Sequence, residues 1–194
     1  MMGTVVQRNL EWMTPNLVLA AAPFLMAVYL FAWRRPRTMA WWAGVVVFVA
    51  FLPNAPYVVS DLIHLSGQLR RSTTDLQASA LLLEYGLLIG AGLALYGGCL
   101  FLLRRRLELE GRGQWRWPAE FALHVLSSIG IFLGRAMRLN SWDIVLSPGS
   151  VLRYVGVPRA TTIVIIVFTF CVLVAATLAM RVPLAIHDQR RSGR

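Results

Sequence analysis

An all-α integral membrane protein, with about five transmembrane helices and short interfacial helices on the extracytoplasmic side, is the fold class this sequence predicts. Three observations carry that expectation. The chain of 194 residues is 57% hydrophobic and only 14% charged, whereas a soluble domain carries about a quarter charged residues. Its apolar residues come in long runs, each near the roughly 20 residues that cross a hydrocarbon core of about 30 Å. The 19 basic residues are all arginines and cluster at the ends of those runs, where they set topology and meet anionic headgroups. That placement accounts for the net charge of +10, so the expected partner is the lipid bilayer and not nucleic acid.

The first run covers residues 16–33 and is followed by Arg34, Arg35 and Arg37, a stop-transfer flank rather than the small-residue site of a cleavable signal. The second, 39–52, stops before Pro53, because proline lacks a donor and disfavours helix in its predecessor. The third spans 78–103, the fourth and least apolar 118–139, and the fifth 161–180, ahead of a tail at 181–194. With no internal repeat and no low-complexity linker, residues 1–194 read as a single transmembrane domain. Cys99 and Cys171 lie within runs and read as small buried hydrophobes. Segments 34–40, 104–117 and the tail hold twelve arginines, against seven on the other side. Arginine-rich loops stay cytoplasmic, which predicts an N-terminus outside and a C-terminus inside a multi-pass cell-membrane protein.

Two polar stretches interrupt this pattern. In "NAPYVVSDLIHL", residues 54–65, Asn54 or Ala55 suits an N-cap and Pro56 the first helical position. A short helix is expected over 56–65, ending at Gly67, with Tyr57, Asp61 and His64 on one face. In "GRAMRLNSWDIVLSPG", residues 134–149, Arg135 and Arg138 close the fourth span, and Asn140 or Ser141 caps a second short helix. Asp143 falls in its first turn, where an acid suits the helix dipole. Trp142 suits either an interfacial anchor or a pocket wall. Both stretches belong to the same membrane face and are expected to wall one pocket.

The fourth span carries Glu120, His124, Ser128, Ile131, Arg135 and Arg138 at intervals of three and four. Such a stripe should face protein or water, since a charge at mid-bilayer costs several kcal/mol. Glu84 in the third span is the expected partner of Arg135, and His124 a hydrogen-bonded interior residue. Trp41, Trp42, Trp115 and Trp117 at span boundaries read as interfacial anchors.

The two stretches resemble the bacterial membrane family called domain of unknown function 1361, which pairs N-A-P-Y-x-x-[TS]-D-L-x-H-L with a later G-R-x-x-R-x-N-S-W-D. The resemblance covers the length of the chain and points to Asn54, Pro56, Tyr57, Asp61 and His64, then to Gly134, Arg135, Arg138, Asn140, Ser141, Trp142 and Asp143. Ser60 stands where threonine is commoner, keeping a hydroxyl. The family name implies no activity, so chemistry is read from residue types. Asp61, His64 and Asp143 are the candidate catalytic set and the candidate ligands of a divalent metal. Asn54, Tyr57, Arg135, Arg138, Asn140, Ser141 and Trp142 are the candidate substrate contacts, the guanidinium forks suiting phosphate or carboxylate. The expectation is a metal-dependent hydrolase or transferase acting on a lipid-linked or phosphate-containing substrate. Against it stand the plain readings: Asp61 and His64 as a loop-orienting hydrogen bond, Asp143 as a helix cap, and the arginines as ion-pair partners that hold the bundle. An accessory or scaffold subunit docking a membrane-protein partner is the alternative. A small transporter using Glu84, Glu120 and His124 comes third, since the chain lacks the repeats many transporters show.

Overall fold

A computed structural model describes the backbone of residues 2–33, 36–136, 149 and 160–192, and the side chains of 9–33 except 10 and 12, 36–135 and 162–180. The described chain is helical throughout its regular elements, and five of its helices are long and apolar enough to cross a membrane. It is a multi-pass membrane protein.

Helix α1 runs Met2–Phe31, beginning well before the apolar run at residue 16. A stripe explains the extension. Asn9, Met13, Asn16, Ala20, Pro23, Ala27 and Leu30 follow one another in steps of four and three, and all are buried except the half-buried Asn16. That spacing keeps one seam facing the partner helix, whether its side chains are apolar or polar. Pro15 and Pro23 lie inside this helix, as membrane bundles allow when neighbours satisfy the freed backbone groups. Helix α2, Met39–Phe51, is capped by Thr38, whose Oγ1 accepts from Trp41 N at 3.2 Å. Trp41 is buried and donates Nε1–H to Leu30 O at 3.1 Å, so it ties α2 to the end of α1 instead of anchoring at the interface. Trp42, Trp115 and Trp117 are exposed, as anchors should be.

Helix α2 ends just before Pro53, as expected, but the proline does not turn the chain out of helical geometry. Its φ of −58° and ψ of −23° are helical, and Tyr57 N donates to Pro53 O at 3.0 Å. The chain bends and continues as α3 (Asn54–Tyr57), a 3-10 turn (Val58–Asp61) and α4 (Leu62–Leu69). The expected cap and stop are therefore corrected: Pro53 stands at the cap position with no side-chain hydrogen bond, and α4 passes through Gly67. Proline forbids a donor, not a helical φ, so within a packed bundle it re-aims the helix.

Helix α5, Asp75–Leu109, spans about 52 Å at 1.5 Å per residue, well over the roughly 30 Å of a hydrocarbon core. It closes at Gly111, whose φ of +69° lets Arg112 N reach Leu107 O at 2.8 Å and Gly111 N reach Glu108 O at 3.0 Å. Helix α6, Arg116–Ala136, returns antiparallel to it, and α7, Ala160–Ser192, packs mainly on α6. The core lies between α1, α2 and α5 around Phe31, Phe48, Tyr96 and Leu100.

Helix α3 and the turn after it wedge between α1, α5 and α6. Two glycines make room for them. A Cβ on Gly92 of α5 would run into Val58 Cγ2 and come within 2.5 Å of Ala55 O, and one on Gly130 of α6 would come within 2.5 Å of Pro53 Cγ. Gly92→Ala should therefore lower thermal stability in detergent by about 1–3 kcal/mol through overpacking. Gly90→Ala, where a Cβ meets nothing within 4 Å, should not lower it. Equal thermal midpoints for the two variants would contradict the wedge.

Candidate functional site

The wedge carries Asp61 to a position only 2% exposed. An ionised carboxylate there needs donors, and two other helices supply them. Arg135 Nη1 from α6 donates to Asp61 Oδ1 at 3.3 Å, and Asn16 Nδ2 from α1 donates to Oδ2 at 3.3 Å. Arg135 reaches His64 as well, with Nη2 at 3.1 Å from Nε2. A guanidinium has no acceptor, so His64 Nε2 must accept. The same guanidinium lies over the Tyr57 ring at 5.9 Å, while Ser60 Oγ donates to Tyr57 O at 2.7 Å. The helical spacing that the sequence implies thus sets Tyr57, Asp61 and His64 on one side, and Arg135 joins them.

These groups line an open cavity of about 650 Å3, together with Asn16, Gln68 and Arg71. That volume suits a small ligand. Inside its wall Asn9 and Gln68 exchange amide hydrogen bonds at 3.1 and 3.0 Å. Asn9 Nδ2 also donates to Glu84 Oε2 at 2.9 Å, and Gln68 Nε2 to Tyr85 OH at 3.2 Å. Glu84 is therefore the partner of Asn9, not of Arg135, because the longer α1 brings an amide to it first.

Of the residues expected from sequence, Tyr57, Asp61, His64 and Arg135 meet at the cavity. Asn54 is half-buried in α3 and does not line it. Arg138, Asn140, Ser141, Trp142 and Asp143 lie outside the described residues. Among the described residues no three His, Cys, Asp or Glu side chains form a metal-binding group. Four contributors were missed: Asn9, Asn16, Gln68 and Arg71. The asparagines announce themselves only as polar members of the seven-residue seam of α1.

The remaining stripe of α6 faces protein as expected, with Glu120, His124, Ser128 and Ile131 all buried. His124 Nδ1 lies 2.9 Å from Tyr96 OH, and Ser128 Oγ donates to His124 O at 2.7 Å. Glu120 pairs with Arg104 at 3.3 Å.

A family model described as "Protein of unknown function (DUF1361)" matches residues 15–176. The chain belongs to that family. No curated protein and no solved structure matches it. In this family member the matched stretch includes Asn16, the wedge and Arg135, whereas Asn9 precedes it.

Asp61 is almost fully buried and the Arg135 side chain 27% exposed, so removing either partner alone should cost about 2–4 kcal/mol, at or just below the range for buried pairs. Arg135→Leu should lower stability in detergent by that amount, and Asp61→Leu added to it should restore part of the loss. Glu84→Leu in place of Asp61→Leu should restore none. Strictly additive losses at 61 and 135 in the double-mutant cycle would refute the pair.

Proposed function

We propose that the cavity binds a phosphate-containing, lipid-linked substrate at the extracytoplasmic face, and that the protein acts on it as a hydrolase or transferase. The observation that carries this reading is the Arg135 guanidinium, held at the cavity wall between Asp61 and His64. Asp61 is buried behind it, so a ligand entering the cavity meets Arg135, the exposed Arg71 and the His64 ring. Two guanidinium forks beside amide and phenol donors suit a phosphate. A phosphate on Arg135 comes within reach of His64, which is then the general acid–base group. Once the phosphate draws Arg135 off His64 Nε2, that nitrogen is free to take the proton of the attacking hydroxyl as the new P–O bond forms, and to give it to the leaving oxygen as the old bond breaks.

The divalent-metal form of this reading requires more. His64 Nε2 faces a cation, so a metal on that nitrogen would have to displace Arg135, and the third ligand would be Asp143. Metal analysis of purified protein decides between the two forms. An ion lost from both Asp61→Asn and His64→Ala brings the metal into the reaction, and phosphate binding that is indifferent to chelators leaves Arg135 and His64 as the working pair.

Binding itself is tested with dihexanoylphosphatidic acid against dihexanoylglycerol as thermal stabilisers. Only the phosphate-bearing lipid should stabilise, and Arg135→Gln or Arg71→Gln should weaken it roughly tenfold or more, as expected for a lost charged hydrogen bond. Equal stabilisation by both lipids would end the phosphate reading and leave the accessory-subunit alternative in front.

The assignment of this face as extracytoplasmic rests on the arginine bias. In a protein whose native cysteines are replaced, Ser66→Cys should label from outside the cell and Gly113→Cys only from the cytoplasm. The reverse pattern would put the cavity on the cytoplasmic side.

A further inference from the structure

At the other end of the bundle a second cleft, about 640 Å3, opens between α5, α6 and α7. Its chemistry changes with depth. Gly97, Leu100 and Phe101 of α5 and Met180 of α7 form an apolar wall, and Arg104 and Arg105 stand at the mouth. Along α5, Gly97 lies about 10 Å deeper than Arg104. Gly97 makes room for the Met180 side chain of α7 to close the deep end of that wall, since a Cβ there would come within 2.6 Å of Met180 Cε.

The charges at the mouth do not cancel. Glu120 pairs with Arg104 at 3.3 Å and Glu108 with Arg116 at 3.0 Å. Arg105 is exposed and forms no ion pair among the described residues. The lining holds two arginines and two glutamates, but Arg116, outside it, takes up Glu108, so the guanidinium of Arg105 is left over. Trp117 stacks beneath the other two arginines, with Arg104 Cζ at 5.2 Å and Arg116 Cζ at 6.0 Å from its ring centroid. That exposed indole marks the headgroup level. A site with surplus positive charge at headgroup depth and an apolar wall directly below it matches one class of molecule.

We propose that this cleft binds an anionic phospholipid of the arginine-rich leaflet, with its phosphate on Arg105 and one acyl chain along Gly97, Phe101 and Met180. The occupant is an amphiphile because phosphate and hydrocarbon contacts are stacked along the membrane normal, in the order a lipid of that leaflet presents them. It is anionic because Arg105 supplies the surplus charge. The proposal does not depend on the activity of the first cavity, which lies at the opposite end of α5.

The test titrates dioleoylphosphatidylglycerol, dioleoylphosphatidylcholine and glycerol 3-phosphate into detergent-solubilised protein and follows the thermal midpoint. The parent carries Arg71→Gln, so that the first cavity contributes little. Phosphatidylglycerol alone should give a saturable rise. Arg105→Gln should weaken its apparent affinity about fivefold, the worth of one arginine near an anionic surface. Arg105→Lys should restore it, and Arg70→Gln, exposed at the other end, should leave it unchanged. An equal rise with phosphatidylcholine or with glycerol 3-phosphate would overturn the proposal, as would an unaltered affinity in Arg105→Gln or an equal loss in Arg70→Gln. Because Arg105 is exposed and unpaired with any described acid, these variants should fold. Failure here would leave the Arg135 reading standing, since that reading is tested by Arg135→Gln and Arg71→Gln.

Discussion

A carboxylate that is 2% exposed inside a lipid-embedded bundle is the constraint on which the rest of this arrangement depends. Left without donors, Asp61 would cost several kcal/mol. Its donors come from helices far apart in sequence, Asn16 of α1 and Arg135 of α6. For both to reach it, α1 must continue helical toward the N-terminus, the chain after α2 must turn into the bundle at Pro53, and α5 and α6 must present glycines where that wedge passes. One buried charge thus explains a proline that bends without breaking and two glycines with no freedom to become alanine. The reverse dependence holds as well, because without the wedge Asp61 would lie in water and need neither partner.

Much of this was legible in the sequence, for identifiable reasons. Spans declare themselves through run length, and Tyr57, Asp61 and His64 share a face by helical spacing alone. Arg135 followed from the polar stripe of α6, since lipid cannot solvate it. What failed was local reasoning about ends. Helix α2 does stop before Pro53, yet the proline itself keeps helical angles and opens α3 instead of leaving the cap to Asn54 or Ala55, and α4 runs on through Gly67. Trp41 looked like an anchor because span-boundary tryptophans usually are, but its indole found the free Leu30 carbonyl at the end of α1. Glu84 was matched to a cation when its partner is the Asn9 amide, because residues before Asn16 are too mixed in polarity to register as helix. Only the seven-residue recurrence of asparagine, Asn9 and Asn16, carried that information.

Arginines in this bundle serve two ends, and only some of them face a cavity or cleft. At the arginine-rich end, Arg106 donates Nη1 to Trp33 O at 2.5 Å and Nε to Glu110 at 2.5 Å, and Glu110 also pairs with Arg37. That chain caps the C-terminus of α1 and fixes it to the close of α5. Arg37 lies over Trp41 and Trp42 at 5.4 and 5.9 Å. These guanidiniums are structural, used up on backbone, carboxylate and indole.

Arg135 is placed otherwise, and its geometry says what it can do. Its five donors form a rigid planar fork. Asp61 engages Nη1 from a buried position and His64 meets Nη2, while the guanidinium borders an open cavity. Fixing an arginine side chain costs about 2 kcal/mol of rotamer entropy. Here folding has met that cost already, through Asp61 behind the guanidinium and Tyr57 beside it. A ligand oxygen arriving in the cavity therefore meets a preorganised donor and loses less on binding than it would to a free surface arginine. The price of such an arrangement is that Asp61 must remain charged and enclosed. The amide of Asn16 on its second oxygen meets that need without adding a second cation, so the positive field of Arg135 remains directed at the cavity instead of being shared around the carboxylate.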